Sequence, residues 1–263
     1  MNKIQRLIFY IKKIGILETF KLCYRKYFLS SINLFNKNKH YFQDSSGLEI
    51  GGPSKYFEPN SIFPIYSIVQ NLDCVNFSAK TLWEGDILTE SFFYCHQSKI
   101  GKQFILDAVD ISSINSCSYD FVISCNNLEH IANPIKAIKS WLDILKVNGI
   151  LTIIVPNNLI NFDHKRRPIS LDHILIDYKS DIDETDLTHL EEILNLHDLN
   201  LDPMAGSFSD FKKRCYDNYN NRAMHHHVFD KKLLYEMFDF LSLKIIDFQE
   251  TPNDLYIIGM KHF

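Results

Sequence analysis

The sequence predicts an α/β fold with seven strands, and three features of the chain lead to this prediction. Residues 119–158 form a strand, a polar turn, a helix, a glycine turn and a second strand, which is a βαβ unit with an expected right-handed crossover. Three apolar segments with strand-like patterns precede this unit, and a helix and two apolar runs around a proline-containing turn follow it. With 263 residues, of which 46% are hydrophobic, the chain can bury a sizeable core.

Each element has its own local signal. The predicted strands lie, in chain order, at residues 47–50, 72–77, 104–106, 121–123, 150–155, 243–248 and 255–260. The helix of the βαβ unit is predicted from apolar residues at three- and four-residue spacing between Ile135 and Leu145, and residues 146–149 are predicted to break it. A second helix is predicted over residues 228–241, with Asp230 in its cap region.

The chain divides into an N-terminal extension, residues 1–46, and a main domain, residues 47–263. The extension alternates apolar and basic residues at helical spacing, which predicts one or two amphipathic helices. These helices would pack on the domain, cover a binding site as a lid, or make a weak membrane-surface contact through residues 1–40. Residues 157–227 are polar, rich in His and Asp, and longer than an ordinary connection, so we expect a site-forming insertion there.

Charge and cysteine content argue against several classes of protein. The net charge of −4 gives no overall positive field, which argues against non-specific binding of nucleic acid. The six cysteines show no paired spacing, so we expect reduced thiols in or near the core of a cytoplasmic protein. No apolar run reaches the roughly 20 residues of a membrane-spanning helix. The N-terminus also lacks the pattern of a secretory signal.

Two motifs resemble those of a known family. Residues 48–54 read Leu-Glu-Ile-Gly-Gly-Pro-Ser, and a glycine turn after a first strand lets the backbone approach a ligand closely. Residues 119–158 lead from an acidic-aromatic strand start into Leu-Glu-His, then Pro, then Leu-Lys-x-x-Gly. Both motifs resemble class I S-adenosylmethionine-dependent methyltransferases. The resemblance implies a Rossmann-like, mostly parallel sheet with an antiparallel last strand, and S-adenosylmethionine as cofactor with S-adenosylhomocysteine as product.

The same resemblance implies a set of cofactor-binding residues. They are Glu49, Gly51, Gly52, Pro53, Asn76, Asp107, Ala108, Cys125 and Asn126. Glu49 would pair with the cationic end of the cofactor, and a helix beginning after the glycine turn would offer free N–H groups. Cys125 and Asn126, in the turn after the fourth strand, would close over the sulfonium side.

The ribose and adenine positions show one departure from the family. Asn76 stands where the family has an acidic residue that binds both ribose hydroxyls. An amide can accept one of these hydrogen bonds and donate another, and Asp73 is an alternative for the same role. Asp107 and Ala108 match the pair that contacts the adenine amino group.

Residues 161–173 resemble a narrower group, the sugar O-methyltransferases of bacterial capsular and lipopolysaccharide gene clusters, in which Phe-Asp, Arg, Ser or Thr, and His follow the fifth strand. The resemblance implies an acceptor-binding insertion and methyl transfer to a hydroxyl of a nucleotide-activated sugar, such as a GDP-linked heptose. The candidate catalytic residues are His173, His189, Asp163, Glu129 and His130, and the candidate substrate-binding residues are Arg167, Ser170 and His227.

Transfer to a hydroxyl needs a base near the acceptor oxygen, because an alcohol is a weak nucleophile. His173 and His189 are the first candidates, since an unperturbed imidazole titrates near neutral pH. Asp163 would orient one of these rings or accept the proton itself. Arg167 carries a guanidinium whose fork suits a phosphate of the activated sugar.

No metal site is expected from the sequence. The consecutive histidines at residues 225–227 should point in different directions, so a metal would instead use Asp163, His173 or His189. Two other functions stay open. One is a methyltransferase for another small molecule, such as a quinone or polyketide, and the other is a non-catalytic scaffold with the same fold. The sequence does not predict the oligomeric state.

Overall fold

The computed structural model describes residues 33–94 and 99–262, together with Ile11, residues 15–17, Thr19 and Phe20. One sheet contains seven strands: β1 Ser46–Ile50, β2 Asn71–Asn76, β3 Gln103–Ile105, β4 Tyr119–Cys125, β5 Leu145–Pro156, β6 Lys244–Glu250 and β7 Asp254–Met260. Their order across the sheet is β6-β7-β5-β4-β1-β2-β3. The predicted α/β, Rossmann-like fold is confirmed.

The strands of this sheet share one direction, with the exception of β7. The pairs β1–β2, β1–β4, β2–β3 and β4–β5 are parallel. β7 runs antiparallel to both of its neighbours, β5 and β6, as predicted for the last strand. The strand order reverses between β1 and β4, and in such sheets a ligand binds outside the carboxyl ends of the strands at this point. A ligand site is therefore expected beyond Ile50 and Cys125.

The helices are α1 Asn33–Asn38, α2 Pro134–Ile144, α3 Leu171–Lys179, α4 Leu190–Leu196, α5 Phe208–Tyr216, α6 Asn218–Asn221 and α7 Lys231–Phe240, with 3-10 turns at Lys39–Tyr41, Ile65–Ser67 and Leu128–His130. The side chain of Asn133 caps α2, and Asp230 caps α7 as predicted. Helices α2, α3 and α7 contribute to one core cluster with the sheet, which includes Trp141 and Phe238.

The connection between β1 and β2 has no α-helix in residues 51–70, all of which the structure describes. The prediction of a helix after the glycine turn is wrong, because Pro53, Pro59 and Pro64 interrupt the hydrogen bonding that a helix needs. Aromatic side chains fill this side of the sheet instead. They are Phe42, Phe57, Phe63, Tyr66, Phe92, Tyr94 and Phe121.

Residues 146–149 do not separate the helix from the strand as a turn. They belong to β5, and the register of β4 against β5 shifts between Tyr119 and Phe121 to accommodate them as a bulge. Two short hairpins between β2 and β3 pair Lys80–Thr81 with Gly85–Asp86 and Phe92–Tyr94 with Lys99–Gly101. Strands this short show no periodic pattern, so the sequence did not predict them.

The described end of the N-terminal extension packs on the sheet. Leu34 and Phe42 are buried in the aromatic core, and Asn38 Nδ2 donates to Asp247 Oδ2 on β6 at 3.0 Å. The rest of the predicted amphipathic helices, with their lid or membrane-contact role, lies largely outside the described residues. The insertion at residues 157–227 contains helices α3 to α6, although its sequence has no regular apolar pattern.

The sequence predictions about cysteines and membrane-spanning helices can be compared with the described residues. Cys74, Cys125 and Cys215 are buried free thiols, whereas Cys117 is free and exposed in a tight turn rather than near the core. Among the described helices, none is long and apolar enough to cross a membrane.

Candidate active site

The glycine turn after β1 contacts the turn after β4. Gly51 has a φ of +80°, and a Cβ at this position would lie 2.6 Å from Asn127 Oδ1. A Cβ at Gly52 would lie 2.3 Å from the Glu49 carboxyl carbon. Both positions therefore need glycine, the first for its backbone conformation and both for the close approach of neighbouring groups.

Glu49 is buried beneath this turn. Tyr66 Oη donates to Glu49 Oε2 at 2.6 Å, and Ser54 N donates to Oε1 at 2.9 Å. Burial raises the pKa of Glu49 to about 8, although both hydrogen bonds oppose the shift. The side chain is therefore mostly protonated at neutral pH, and a cation bound next to it would favour the carboxylate.

Asn76 ends β2 beside the glycine turn, at the predicted ribose position. Its Nδ2 donates to Gly52 O at 2.8 Å, so the amide group holds the turn and leaves its oxygen as the acceptor. Asp73, the alternative for this role, accepts a hydrogen bond from Tyr119 Oη at one oxygen, at 2.6 Å, and from Lys102 N at the other, at 2.7 Å. Asn76 and Asp73 both stay predictions for the ribose contact.

Asp107 follows β3 at the predicted adenine position. Arg222, from the insertion, donates to Asp107 Oδ2 at 3.0 Å, and its guanidinium lies 5.4 Å from the centre of the Phe77 ring. The carbonyl of Ala108 accepts a hydrogen bond from Trp141 Nε1 at 2.8 Å. The insertion therefore reaches the edge of the site where adenine is expected.

The turn after β4, residues 124–130, concentrates buried polar atoms that have no hydrogen-bond partner among the described residues. They include Ser124 Oγ, Asn126 Oδ1, Asn127 Nδ2, both Glu129 carboxylate oxygens and His130 Nδ1. Asn126 also has a left-handed φ of +47°, and strained residues of this kind cluster at functional sites. Because buried polar atoms are normally paired, this turn fits a polar ligand between β1 and β4. The residues of the site therefore fit the predicted cofactor.

Glu129 and His130 face the insertion from this turn. Burial raises the pKa of Glu129 well above its usual value, and burial followed by the neighbouring His225 lowers the pKa of His130. Burial therefore disfavours the charged form of both side chains. The His130 ring packs edge-on against His225, with centroids 4.5 Å apart, and against Trp83 at 4.9 Å.

Asp163 pairs with His225 and not with His173 or His189, the two histidines that it was expected to orient. Asp163 Oδ2 lies 2.6 Å from His225 Nδ1, and Arg166 Nη1 donates to Asp163 Oδ1 at 3.1 Å. Burial opposes ionisation of Asp163, yet His225 and Arg166 together lower its pKa to about 2. We call Glu129, His130, Asp163 and His225 the turn cluster. Three of its members line a small cavity that His227 also borders.

His173 and His189, the first candidates for the base, belong to a different group. His173 Nε2 lies 3.0 Å from His189 Nε2 and 3.3 Å from Asp177 Oδ2, and His227 Nε2 lies 3.1 Å from the same oxygen. Burial lowers the pKa of His227 to about 4 and, with the nearby His173, also lowers that of His189. We call His173, Asp177, His189 and His227 the insertion cluster.

The other predicted substrate-binding residues lie at the surface of the insertion. Arg167 is exposed, whereas Arg166, which the sequence analysis passed over, is buried against Asp163. Ser170 is the N-cap of α3, and its hydroxyl accepts a hydrogen bond from His173 N at 3.3 Å. Its described role is therefore structural.

The three consecutive histidines point in different directions, as expected, and each pairs with its own acid. His225 pairs with Asp163, His226 Nε2 lies 3.2 Å from Glu184 Oε2, and His227 pairs with Asp177. The sequence signal for His225 is this triplet. Its two outer members belong to two separate clusters, which sequence spacing alone does not predict.

Comparisons with known proteins find distant likenesses only. No protein-family model matches the chain, and no curated protein matches its sequence. Solved structures with a similar fold include a proposed S-adenosylmethionine-dependent methyltransferase from Listeria monocytogenes, with 14% identity over 89% of this chain and 98% of that one and a TM-score of 0.49. The 1,6-didemethyltoxoflavin-N1-methyltransferase of Burkholderia thailandensis shows 10% identity over 90% and 78% of the two chains, with a TM-score of 0.48. A methyltransferase from Aquifex aeolicus shows 8% identity over 88% and 91%, with a TM-score of 0.45.

Proposed function

We propose that this protein is an S-adenosylmethionine-dependent methyltransferase that methylates a hydroxyl of a small polar acceptor. The observation that carries the proposal is the place of the turn cluster. It begins at the carboxyl end of β4, next to the point where the strand order reverses, and a glycine turn with a buried acid lies on the other side of that point.

The chemistry requires a proton acceptor and an oriented nucleophile. S-adenosylmethionine, when bound, supplies the electrophilic methyl group. His225 is the proposed base, because Asp163 accepts the hydrogen bond of its Nδ1–H and so leaves Nε2 unprotonated and able to take the proton of the acceptor hydroxyl. The carboxylate of Asp163 would then stabilise the imidazolium that forms.

The buried Glu129 has a different proposed role. Burial raises the pKa of Glu129 and so favours the protonated carboxyl group, which can donate a hydrogen bond to an acceptor oxygen and accept one through its other oxygen. The His130 ring would pack beside the acceptor. Together they would hold the acceptor hydroxyl toward His225, which is the positioning that an in-line transfer needs.

We propose a nucleotide-activated sugar, such as a GDP-linked heptose of a surface polysaccharide, as the acceptor in the cytoplasm. The resemblance of residues 161–173 to sugar O-methyltransferases supports this choice, as does the polar lining of the cavity by Glu129, Asp163 and His225. Arg167 is exposed on the same segment and is the proposed contact for a phosphate.

The test is methyl transfer by the purified full chain. S-adenosylmethionine would be incubated with a panel of nucleotide-activated sugars, including GDP-linked heptoses, and the methylated sugar and S-adenosylhomocysteine would be measured. We expect turnover with at least one sugar and its loss in His225→Ala. If S-adenosylhomocysteine binds but no sugar is methylated, the acceptor class is wrong. If His225→Ala retains full turnover, the base is wrong.

A further inference from the structure

The insertion cluster has the donor set of a transition-metal site. Three imidazole nitrogens and one carboxylate oxygen face one another, and one such atom from each residue lies within 4.8 Å of the others. These four residues are separate from the proposed base, and the proposed reaction does not use them. We propose that His173, Asp177, His189 and His227 bind one divalent transition-metal ion, with Zn²⁺ as the best match.

The distances between the donor atoms support this assignment. Zinc bonds to nitrogen and oxygen are about 2.0–2.2 Å long, so donors at the corners of a regular tetrahedron stand about 3.3 Å apart. The observed separations of 3.0, 3.3 and 3.1 Å between neighbouring donors are close to this spacing. The remaining donor pairs also lie within 4.8 Å of one another, so the four side chains converge on one point.

The types of donor select the ion. Magnesium and calcium prefer oxygen ligands, whereas three imidazoles and a single carboxylate suit zinc and its neighbours in the first transition series. Four protein ligands fill a tetrahedral shell, which is the pattern of a structural rather than a catalytic zinc site. His173 has a side chain that is 40% exposed, so an ion can reach the cluster from solvent.

The ligands come from three parts of the insertion. His173 and Asp177 are one turn apart on α3 and therefore share a helix face. His189 is the N-cap residue of α4, and His227 lies in the extended segment before α7. A bound ion would tie these parts together and fix the segment that also carries His225. The ion would therefore act as a positioning device for the turn cluster.

The neighbours of the cluster fit a ligand shell. His189 Nδ1 lies 3.8 Å from Glu192 Oε2, and the same carboxylate oxygen is 3.4 Å from Arg166 Nη2. An outer carboxylate near the second ring nitrogen of a ligating histidine is a common feature of metal sites. Here it also links the insertion cluster to Arg166, which holds Asp163 of the turn cluster.

The experiment is a metal-binding measurement on the full chain, independent of methyl transfer. Protein stripped of metal would be titrated with Zn²⁺ by calorimetry and with Co²⁺ by visible absorption, because tetrahedral Co²⁺ with nitrogen ligands gives intense bands. The variants are His189→Ala and Asp177→Asn, with His164→Ala and His225→Ala as matched controls. Circular dichroism would establish that each variant is folded.

We expect about one equivalent of metal per wild-type chain and a tetrahedral Co²⁺ spectrum. Loss of one ligand should weaken binding by more than the roughly 10- to 100-fold that loss of an outer-shell partner causes. His164→Ala and His225→Ala should bind as the wild type does. The proposal is overturned if wild-type protein binds neither ion stoichiometrically, or if His225→Ala loses the ion while folded His189→Ala keeps it. The second outcome would assign the ion to the turn cluster instead.

Discussion

His225 and His227 are two residues apart in one extended segment, yet their rings take part in different clusters. His225 forms a close pair with an aspartate that a buried arginine also holds. His227 shares its aspartate oxygen with another histidine, and no arginine contacts that carboxylate among the described residues. The first arrangement orients one imidazole for proton transfer, whereas the second directs several imidazoles at one point.

The difference shows that the carboxylate environment decides what a neighbouring histidine can do. Arg166 occupies one oxygen of Asp163 and leaves the other for a single ring, so His225 has one defined orientation. One carboxylate oxygen of Asp177 contacts the rings of both His173 and His227. A divalent cation bound between these groups would stabilise the arrangement. The same type of residue, repeated at a short interval, therefore supports two distinct chemical roles.

The largest expected effect is on turnover in His225→Ala. Loss of a general base should lower kcat by roughly 10²- to 10⁴-fold, while the affinity for S-adenosylhomocysteine stays nearly unchanged because His225 is not among the residues proposed to hold the cofactor. Steady-state kinetics and calorimetry measure the two quantities. The exposed His164 is the control position. Equal losses in His164→Ala would show that the effect is not specific to the pair.

Asp163→Asn should be the most destabilising change in either cluster. It leaves Arg166, whose side chain is 1% exposed, without its buried carboxylate, and breaking a buried ion pair costs about 3–5 kcal/mol. Denaturant unfolding at neutral pH measures this loss. Asp181→Asn is the control, since its carboxylate is 72% exposed and its pairing with Lys136 should contribute little.

Asp163→Asn should also change how the free energy of unfolding depends on pH in acid. The pKa of Asp163 is about 2 in the folded protein, below its ordinary 3.8. Its contribution to stability is therefore fully present above pH 3.8 and is lost as the pH falls through 2. Asp163→Asn should lose less stability than wild type over this interval. Parallel stability curves for the two proteins in acid would contradict the assigned pairing.

A smaller effect is expected at Glu49, which belongs to neither histidine cluster. Glu49 must ionise to pair with an ammonium group, and its pKa is about 8. As the pH increases toward this pKa, the affinity for S-adenosylhomocysteine should therefore increase by up to about tenfold per pH unit. Glu49→Gln should bind more weakly and without this pH dependence, as measured by calorimetry. A flat profile for the wild type would place the ammonium group elsewhere.

The smallest expected effect on turnover is that of His189→Ala. If the insertion cluster positions His225 and does not transfer the proton, kcat should fall by less than the roughly 10²-fold minimum for loss of a base. The KM for the acceptor would change with it, because the insertion forms part of the acceptor site. A loss of kcat as large as that of His225→Ala would erase the distinction between the two clusters.

The sequence predicted the sheet well because its signals are local. The strand from Ser46 to Ile50 and the βαβ unit have apolar runs bounded by glycine, proline and polar turns, and the structure confirms them. The predicted helix after the glycine turn is wrong because three prolines in residues 51–70 prevent helical hydrogen bonding there. Asn76 was matched to the ribose, but only the structure shows that its amide donates to Gly52.

The insertion was harder to predict because its contacts are distant in sequence. Asp163 and His225 are 62 residues apart, and His227 and Asp177 are 50 apart, so no spacing rule connects them. Asp163 was expected to orient His173 or His189 and instead pairs with His225, because the choice among eleven histidines depends on tertiary packing. Arg166 and Arg167 are adjacent and identical in type, and only burial tells them apart.

The most direct measurement is a calorimetric titration of S-adenosylhomocysteine into the wild type, Gly51→Val and the control Gly206→Val. Both glycines have a positive φ, +80° and +69°, so both variants place valine in a strained conformation, but only Gly51 lies at the proposed cofactor turn. We predict one bound ligand per chain for the wild type and Gly206→Val, and near-total loss of binding in folded Gly51→Val. Absence of binding to the wild type at millimolar ligand, or wild-type affinity in Gly51→Val, would contradict the proposed cofactor site.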